Sequence, residues 1–310
     1  MRIHIFSKST EHYAPGRITE EARLLGHSAE NLFYKDLVVG ITNKVRVLMH
    51  GKPLEMPDVA VLRVSGAGLA GPLFAYQRVA LINYFCDEQK QGSAQSAGSY
   101  YPKPPFVMNR ETYISWIRLN KLEQHYDMVR SGIPVVPSVS FSSEEVIDWD
   151  KLQFPLIAKT SFGSSGQGVF KIENKDEFLK KVKEKGISNY LFQKMLTTRQ
   201  DYRVIVIGGK ALPKAMKKTA QEGEFLTNFA RGGAVQGVPL NSQMRDLAEH
   251  TAKVFKADYA GIDIMYDAEG NPYVLEINRG AQFQGFEEST GINVAREIVQ
   301  YLERQTRLSK

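Results

Sequence analysis

Apolar residues follow strand-like and helix-like periods along the first part of the chain. The alternating runs RIHIF, KVRVLMH and DVAVLRV are accompanied by a segment with helical spacing around Thr19 to Leu25. Strands that alternate with helices are typical of a parallel, Rossmann-like sheet. The loop after the first strand reads SKST and lacks G-x-G-x-x-G, which argues against a dinucleotide site there. We therefore expect residues 1–107 to form a supporting or substrate-binding lobe.

The rest of the chain predicts two further lobes with antiparallel strands. A helix over Glu111–Arg130, capped by Asn109 and with Leu119, Leu122, Tyr126 and Val129 on one apolar stripe, precedes the strands FPLIAKT and VFKI and a helix over Lys175–Lys185. After these come the strands YLFQKML, DYRVIVIGG and KALPKAMKK, and helices from about Ser242 to Lys256 and Ile292 to Arg307. The chain is thus α/β overall, with lobes at 1–107, 108–190 and 191–310.

A β-hairpin near the C-terminus carries the most informative polar residues. The runs GIDIMY and YVLEIN flank the turn-rich segment DAEGN. A turn centred between Glu269 and Gly270 places Asp263 directly opposite Glu276. Period-two alternation sends Asn278 to the same face as Glu276.

The acidic face of this hairpin predicts a metal site. Carboxylates opposed across two strands repel unless a positive charge lies between them. Oxygen ligands from Asp263, Glu276 and Asn278 suit a hard cation such as magnesium, which often bridges to substrate phosphates. The intervening Leu275 and Ile277 are expected in the core. The alternative is a hairpin with a solvated acidic face.

A glycine-rich loop, SFGSSGQG, predicts a phosphate contact. Gly163, Gly166 and Gly168 allow backbone N–H groups to close on a phosphate, and the loop joins strand to strand, unlike a Walker or Rossmann loop. Lys159 ends the apolar run PLIA two residues before the loop, where its ammonium group can reach a phosphate. A structural hairpin with a flexible tip is the alternative.

Charged residues in the third lobe add further candidates. In DYRVIVI, Asp201 and Arg203 share one strand face. In TNFARGG, Asn228 and Arg231 precede two glycines, and such a loop offers amide and guanidinium donors to an anion. Taken alone, Arg231 fits a surface arginine equally well.

Composition favours a soluble enzyme. The 310 residues exceed what one core usually serves, and Cys86 is the single cysteine, so no internal disulfide forms. The N-terminus has the pattern of a strand rather than a signal peptide, and no apolar run is long enough to span a membrane. The net charge of +6 suits either nucleic acid or small anions such as acidic substrates and nucleotide phosphates. We favour the small anions, because the sequence contains no nucleic-acid-binding motif. It contains no zinc-binding motif either. We expect a cytoplasmic protein that binds neither nucleic acid nor membrane.

In their order, these motifs resemble the ATP-grasp superfamily, specifically its RimK-like carboxylate-amine ligases. The strongest similarity runs from about Gln193 to Ala295 through DYRVIVIGGK, GEFLTNFARGG, YAGIDIM, LEIN and GFEESTGINVA. With KLEQHYDMVRSGIPVVPS and FPLIAKTSFGSSGQGVF, it covers roughly residues 118–305. The resemblance implies an ATP-grasp fold of three lobes, with ATP held between the central and C-terminal antiparallel sheets.

The resemblance also implies roles for individual residues. ATP phosphates would be bound by Lys121 and Lys159 beneath the loop that contains Ser161, Gly163, Ser164, Gly166 and Gly168. Adenine would contact Gln193, Lys194 and Met195, the ribose region Asp201, and the metal-nucleotide end Thr227 and Asn228. Two magnesium or manganese ions would be held by Asp263, Glu276 and Asn278. Arg203 and Arg231 are the candidates for stabilising an acylphosphate and a tetrahedral oxyanion.

The implied reaction is ATP-dependent amide formation through an acylphosphate, giving ADP and phosphate. Glutamate addition to the C-terminus of a peptide or protein is the leading model, with a dimer or tetramer as the expected assembly. The basic residues Lys214, Lys217 and Lys218 suit an acidic donor, or are simply solvated. After Asn278 the chain reads Arg279-Gly280-Ala281 instead of the family's Ser/Ala-Ser-Pro-Gly, which suggests a different acceptor side. A small-molecule (dipeptide or metabolite) ligase and a non-catalytic ATP-binding scaffold stay open.

Overall fold

The computed structural model describes residues 1–8, 12–43, 45–63, 72–92, 104–161, 168–221 and 234–308. Its strands are β1 Arg2–Ser7, β2 Ser28–Phe33, β3 Leu37–Ile41, β4 Val45–Met49, β5 Lys52–Pro53, β6 Val59–Leu62, β7 Phe106–Met108, β8 Ser138–Val139, β9 Leu156–Thr160, β10 Val169–Ile172, β11 Tyr190–Lys194, β12 Gln200–Ile207, β13 Lys210–Ala211, β14 Lys214–Thr219, β15 Ala234–Pro239, β16 Tyr259–Tyr266 and β17 Pro272–Asn278. Its α-helices are α1 Tyr13–Leu24, α2 Pro72–Gly92, α3 Arg110–Ser115, α4 Lys121–Arg130, α5 Lys175–Lys185, α6 Ser242–Val254, α7 Gln284–Thr290 and α8 Val294–Leu308.

The N-terminal part is built on a parallel sheet with the order β2-β1-β6-β7. Because side chains alternate along a strand, Ile3 and Ile5 of β1 pack beneath α1, while Phe6 packs with residues of α2 on the other face. The predicted Rossmann-like layer is confirmed. The run KVRVLMH forms β4, which belongs to a separate antiparallel sheet, β3-β4-β5.

The middle of the chain forms an antiparallel sheet with the order β10-β9-β11-β8. Helix α5 covers it, beginning where the Asn174 side chain accepts a hydrogen bond from the Glu177 amide. Phe178 of this helix stacks on Phe192 of β11, with ring centroids 4.5 Å apart. Strand β11 pairs with β9 and β8 and so belongs to this sheet. The lobe boundaries at 107/108 and 190/191 remain predictions.

The C-terminal sheet has the order β15-β14-β12-β16-β17, with β13 paired to β12. One face packs on α6. The other face packs on α8 and shares a continuous core with the N-terminal sheet, through residues such as Ile3, Ile205 and Ile298. In the described part of the chain, no helix is both long enough and apolar enough to cross a membrane.

The predicted helix over 111–130 is wrong, because the chain forms α3 and α4 with a break between them. Asn120 ends the break as the N-cap of α4, accepting a hydrogen bond from the Glu123 amide at 2.8 Å. Asn109 does not cap α3 through its side chain. Its amide group bonds to the backbone of Tyr259 and Arg279 at 2.8–2.9 Å.

The break also rotates the helix relative to the predicted apolar stripe. Leu122, Tyr126 and Val129 are exposed rather than buried. The buried face of α4 carries Lys121, Gln124, His125 and Met128. This polar face points toward the C-terminal sheet, since the Gln124 side chain accepts a hydrogen bond from the Ile277 amide and His125 bonds to the Leu275 carbonyl.

Candidate active site

The hairpin β16-β17 places Asp263 opposite Glu276, as the sequence predicts. The register is reached differently, however, because the turn pairs Ile264 with Val274 and a bulge then shifts the pairing by one residue. Leu275 is only half-buried, whereas Val274 is fully buried in the core with Ile277. The prediction that Leu275 enters the core is therefore wrong, since the extra residue of the bulge moves Val274 onto that face.

Arg203 lies beside Asp263 on the neighbouring strand β12. Its Nε and Nη2 atoms donate to Oδ1 and Oδ2 of Asp263 at 2.8 and 2.7 Å, a bidentate ion pair. Despite the cost of burial, the Arg203 guanidinium holds the pKa of the Asp263 carboxyl well below its usual range. The Asp263 carboxylate in turn raises the pKa of Arg203. The pair is thus fully ionised at neutral pH.

A second buried ion pair adjoins the first. Lys218 of β14 pairs with Asp201 of β12, with Nζ 2.9 and 3.1 Å from the two carboxylate oxygens. The same Nζ lies 3.6 Å from Oδ1 of Asp263. Lys218 is 5% exposed, so the solvated position considered for it is wrong. Alternation along β14 offers the sequence signal, because Lys218 shares its face with the buried Met216 rather than with Lys217.

Lys159, at the end of β9, lies within electrostatic range of these carboxylates. The pKa of its ammonium group is lowered to about 8, because burial and the nearby Lys121 charge both lower it. Glu276, Asp263 and Asp201 partly offset this by raising it. The structure thus brings together two lysines and three carboxylates that the sequence analysis assigned to one site.

The two ends of the glycine-rich loop are held by close contacts with neighbouring residues. Gly168 has φ +86°, and a Cβ atom there would lie 2.2 Å from Oγ1 of Thr160. Ser161 bonds to the Asn189 carbonyl through both its N–H and its hydroxyl, and its own carbonyl accepts from the Lys121 amide at 3.2 Å. Gly163, Ser164 and Gly166 lie outside the described residues, as do Thr227, Asn228 and Arg231. Their roles remain predictions.

Gln193 belongs to a buried polar group that the sequence analysis missed. Its amide donates to Oγ of Ser138 at 2.8 Å and lies 3.4 Å from Nδ1 of His125. Burial lowers the pKa of His125 to about 4, so the ring is neutral, and its Nε2 bonds to the Leu275 carbonyl. The side chain of Gln193 is therefore engaged inside the protein. Lys194 is exposed and Met195 half-buried, and an adenine contact for the three stays a prediction.

Comparison with known proteins shows the family of this chain. A model of the RimK-like ATP-grasp domain matches residues 120–302, more than half of the chain. The chain belongs to the RimK-like ATP-grasp family. A protein of Thioalkalivibrio sulfidiphilus named probable alpha-L-glutamate ligase is 29% identical to this chain, over 99% of this chain and 97% of the relative. A protein of the same name from Aeromonas salmonicida is also 29% identical, over 98% of this chain and 96% of the relative.

Solved structures share the RimK-like ATP-grasp fold over nearly the whole chain. The ATP-grasp ligase PsnB, in complex with a minimal precursor, Mg and ADP, superposes with a TM-score of 0.68 at 20% identity, covering 98% of both chains. A RimK domain ATP-grasp protein from Sphaerobacter thermophilus gives 0.64 at 16% identity, covering 98% of this chain and all of the other. The predicted fold class is confirmed.

ATP-grasp ligases use ATP and Mg²⁺, and the donor set of this site fits the ion. Oε1 of Glu276 accepts from the Asn278 amide at 2.8 Å, and Asp263 accepts from Arg203, which leaves further lone pairs on both carboxylates. These oxygens are the hard donors that magnesium prefers. Among the described residues, no group of three or more His, Cys, Asp or Glu side chains could hold a metal ion alone. The fit therefore depends on the Asn278 amide and on substrate phosphates.

Proposed function

We propose that this ATP-dependent ligase joins an acidic amino acid such as glutamate to the C-terminus of a peptide or protein. The observation that carries this proposal is the convergence of Asp263, Glu276, Lys159 and the Arg203 pair on one sheet surface. Such a surface offers both oxygen donors for Mg²⁺ and cationic groups for phosphates.

The chemistry divides into two transfers. A carboxylate oxygen at the C-terminus of the peptide or protein attacks the γ-phosphorus of ATP, which forms an acylphosphate and releases ADP. The amine then attacks the acyl carbon, and phosphate leaves with the carboxylate oxygen that had attacked. We propose that Asp263, Glu276 and Asn278 would hold two Mg²⁺ ions, which would supply positive charge to offset that of the phosphates.

The cationic side chains of this chain have distinct proposed roles. Lys121 and Lys159 bind phosphate oxygens beneath the 161–168 loop. Arg203 cannot act by proton transfer, because its pair with Asp263 keeps it charged. It instead fixes the Asp263 carboxylate and offers its positive charge to the developing oxyanion, together with Arg231.

The substrate assignment has separate support. The similar curated proteins are named probable alpha-L-glutamate ligases, and the chain spans nearly their whole length. The PsnB structures contain a precursor peptide, which is a precedent for a peptide acceptor on this fold. We also propose a dimer or tetramer in the cytoplasm.

The test is an assay with ATP, Mg²⁺, pooled amino acids and peptides ending in acidic residues. Phosphate release and the mass of the peptide are followed together. The proposal predicts that phosphate release accompanies a gain of one or more glutamyl residues. Phosphate release with free amino acids alone would replace the proposal with a dipeptide or metabolite ligase, and nucleotide binding without turnover in every pool would favour the scaffold.

Two variants of one hairpin link this activity to the metal ligands. Glu276→Gln keeps the size of the side chain but removes a charged oxygen donor, so product formation should fall by at least about 100-fold. Glu269→Gln removes the same charge at the exposed turn of the hairpin and should retain wild-type activity. Equal activity of the two variants would contradict the assigned metal site.

A further inference from the structure

Two arginines, Arg78 and Arg279, stack on Tyr113, and a third, Arg63, lies near them next to the proposed ligase site. The guanidinium carbons of Arg78 and Arg279 lie 4.1 and 4.9 Å from the Tyr113 ring centroid. The Tyr113 hydroxyl donates to the Leu62 carbonyl at 2.9 Å, which places it beside Arg63. Arg63 stacks between aromatic rings of the C-terminal part, 4.9 Å from Tyr259 and 5.6 Å from Phe283.

Among the described residues, no acid forms an ion pair with the arginines of this cluster. Arg63 and Arg78 are only 3% and 4% exposed. Within the described residues, the ion pairs of arginine involve other positions, namely Arg2, Arg17, Arg110, Arg203 and Arg296. Such a cluster is unfavourable unless an anion joins it.

Backbone carbonyls use only part of the hydrogen-bonding capacity of these arginines. Arg63 donates from Nη2 to the Ala281 carbonyl, Arg78 from Nη2 to Ile117, and Arg279 from Nη1 to Thr112 and Trp116. In the part of the chain that the structure describes, Nε and Nη1 of Arg63 and Nε of Arg78 are buried and make no hydrogen bond of normal geometry, although the Tyr259 hydroxyl lies near the Arg63 guanidinium. A purely structural role leaves these donors unexplained, because buried N–H groups are normally paired.

The position of the cluster in the fold is that of a ligand site. In the order β2-β1-β6-β7, strand β2 lies on one side of β1 and strand β6 lies on the other. The direction in which successive strands are added to the sheet therefore reverses, and the reversal lies between β1 and β6. Arg63 directly follows β6, and its amide bonds to the Phe6 carbonyl near the end of β1. Ligands of open parallel sheets bind outside the carboxyl ends of the strands at such a reversal. Arg279 directly follows the proposed metal ligand Asn278, which connects the cluster to the reacting atoms.

We propose that Arg63, Arg78 and Arg279 bind the carboxylates of the acidic amino acid that enters the ligation. This inference rests on the proposed function and names the residues that select its substrate. A planar guanidinium pairs with a carboxylate through two parallel hydrogen bonds, and several such groups together suit a dicarboxylate. Glutamine has the same shape as glutamate but lacks the second charge, so the cluster discriminates between them.

The first experiment measures ligand binding to the wild-type protein without turnover. Thermal unfolding is followed with L-glutamate, L-glutamine or inorganic phosphate added. Glutamate should raise the melting temperature at concentrations where glutamine does not. A shift with phosphate alone would mean that the cluster binds a phosphate group instead, and no shift with any of the three would overturn the inference.

The second experiment uses substitutions of Arg78, which has no proposed role in catalysis. Arg78→Met should raise KM for glutamate about tenfold while kcat and KM for ATP stay within about twofold, since it removes charge-assisted hydrogen bonds to one substrate. Arg78→Lys keeps the charge but loses the planar fork, so it should show a smaller rise and provides the test if the methionine variant fails to fold. Arg130→Met is the control, because Arg130 also stacks on a tyrosine, Tyr126, but is exposed.

The outcomes separate this inference from the proposed function. Amide formation that accepts glutamine as well as glutamate, with KM unchanged in Arg78→Met, would leave the ligase intact and overturn the arginine site. Absence of amide formation with any amine would instead overturn the proposed function, while the melting-temperature shift with glutamate would still report on the arginines.

Discussion

Lys218→Met removes one partner of a buried ion pair and tests how charge is arranged beneath the active site. Lys218 Nζ contacts both oxygens of Asp201 and lies 3.6 Å from Asp263. Both partners of the pair are almost completely buried. Loss of one partner from a buried pair costs about 3–5 kcal/mol, because the remaining charge is left without compensation.

The lower end of this range applies, because the Arg203 guanidinium also interacts with Asp201. We therefore expect the free energy of unfolding to fall by about 3 kcal/mol, and the melting temperature by roughly 6–10 °C. Urea unfolding followed by circular dichroism measures the first quantity and a thermal scan the second. Combining Lys218→Met with Asp201→Asn should recover at least about 1 kcal/mol, since the double variant no longer buries a carboxylate that has lost its lysine partner.

Lys217→Met is the matched control, because Lys217 is the neighbouring residue on β14 and its half-buried side chain lies on the opposite face. It should change stability by no more than about 0.5 kcal/mol. A Lys218→Met variant as stable as the Lys217→Met variant would refute the buried pair, as would a double variant that loses the sum of the two single effects.

Two further predictions concern Lys159 and the start of β10. Between about pH 8 and its normal value of 10.5, Lys159 is neutral in the folded protein but charged in the unfolded chain, so wild-type stability should rise with pH through that window. Lys159→Met should thus be about 2–3 kcal/mol more stable than wild type at pH 7 and lose this advantage by pH 10.5; parallel urea-unfolding profiles would contradict the lowered pKa. Both Gly132 and Gly168 have positive φ, so Gly132→Ala should lower the free energy of unfolding by about 1–2 kcal/mol. Gly168→Ala should lower it by more, because only at residue 168 would the added Cβ atom clash with Thr160. Equal losses in thermal unfolding would rule out that contact.

The sequence predicted the strand pairing at the centre of the candidate site because these residues lie on strands with clear alternation. Asp263 and Glu276 oppose each other as expected, and Arg203 joins them from the adjacent strand. The bulge that exchanges Leu275 for Val274 in the core was not predictable from alternation, since one extra residue reverses the pattern without a composition signal.

Other features were readable in principle but were missed. The motif Asn120-x-x-Glu123 is an N-cap pattern that marks the true start of α4. The burial of Lys218 follows from its spacing to Met216. The arginine cluster could not be found in this way, because Arg63, Arg78 and Arg279 come from three distant segments that only the packing of α2 and α3 against the sheets brings together.

The most direct test of acylphosphate chemistry follows one oxygen atom. An acceptor peptide in which both oxygens of the C-terminal carboxylate are ¹⁸O is incubated with the protein, ATP, Mg²⁺ and glutamate, and the released phosphate is analysed by mass spectrometry. If the carboxylate attacks the γ-phosphorus, each phosphate released with amide formation carries one ¹⁸O atom from the peptide, and the nucleotide product is ADP. Unlabelled phosphate, or release of AMP and pyrophosphate, would contradict activation of the carboxylate by phosphoryl transfer.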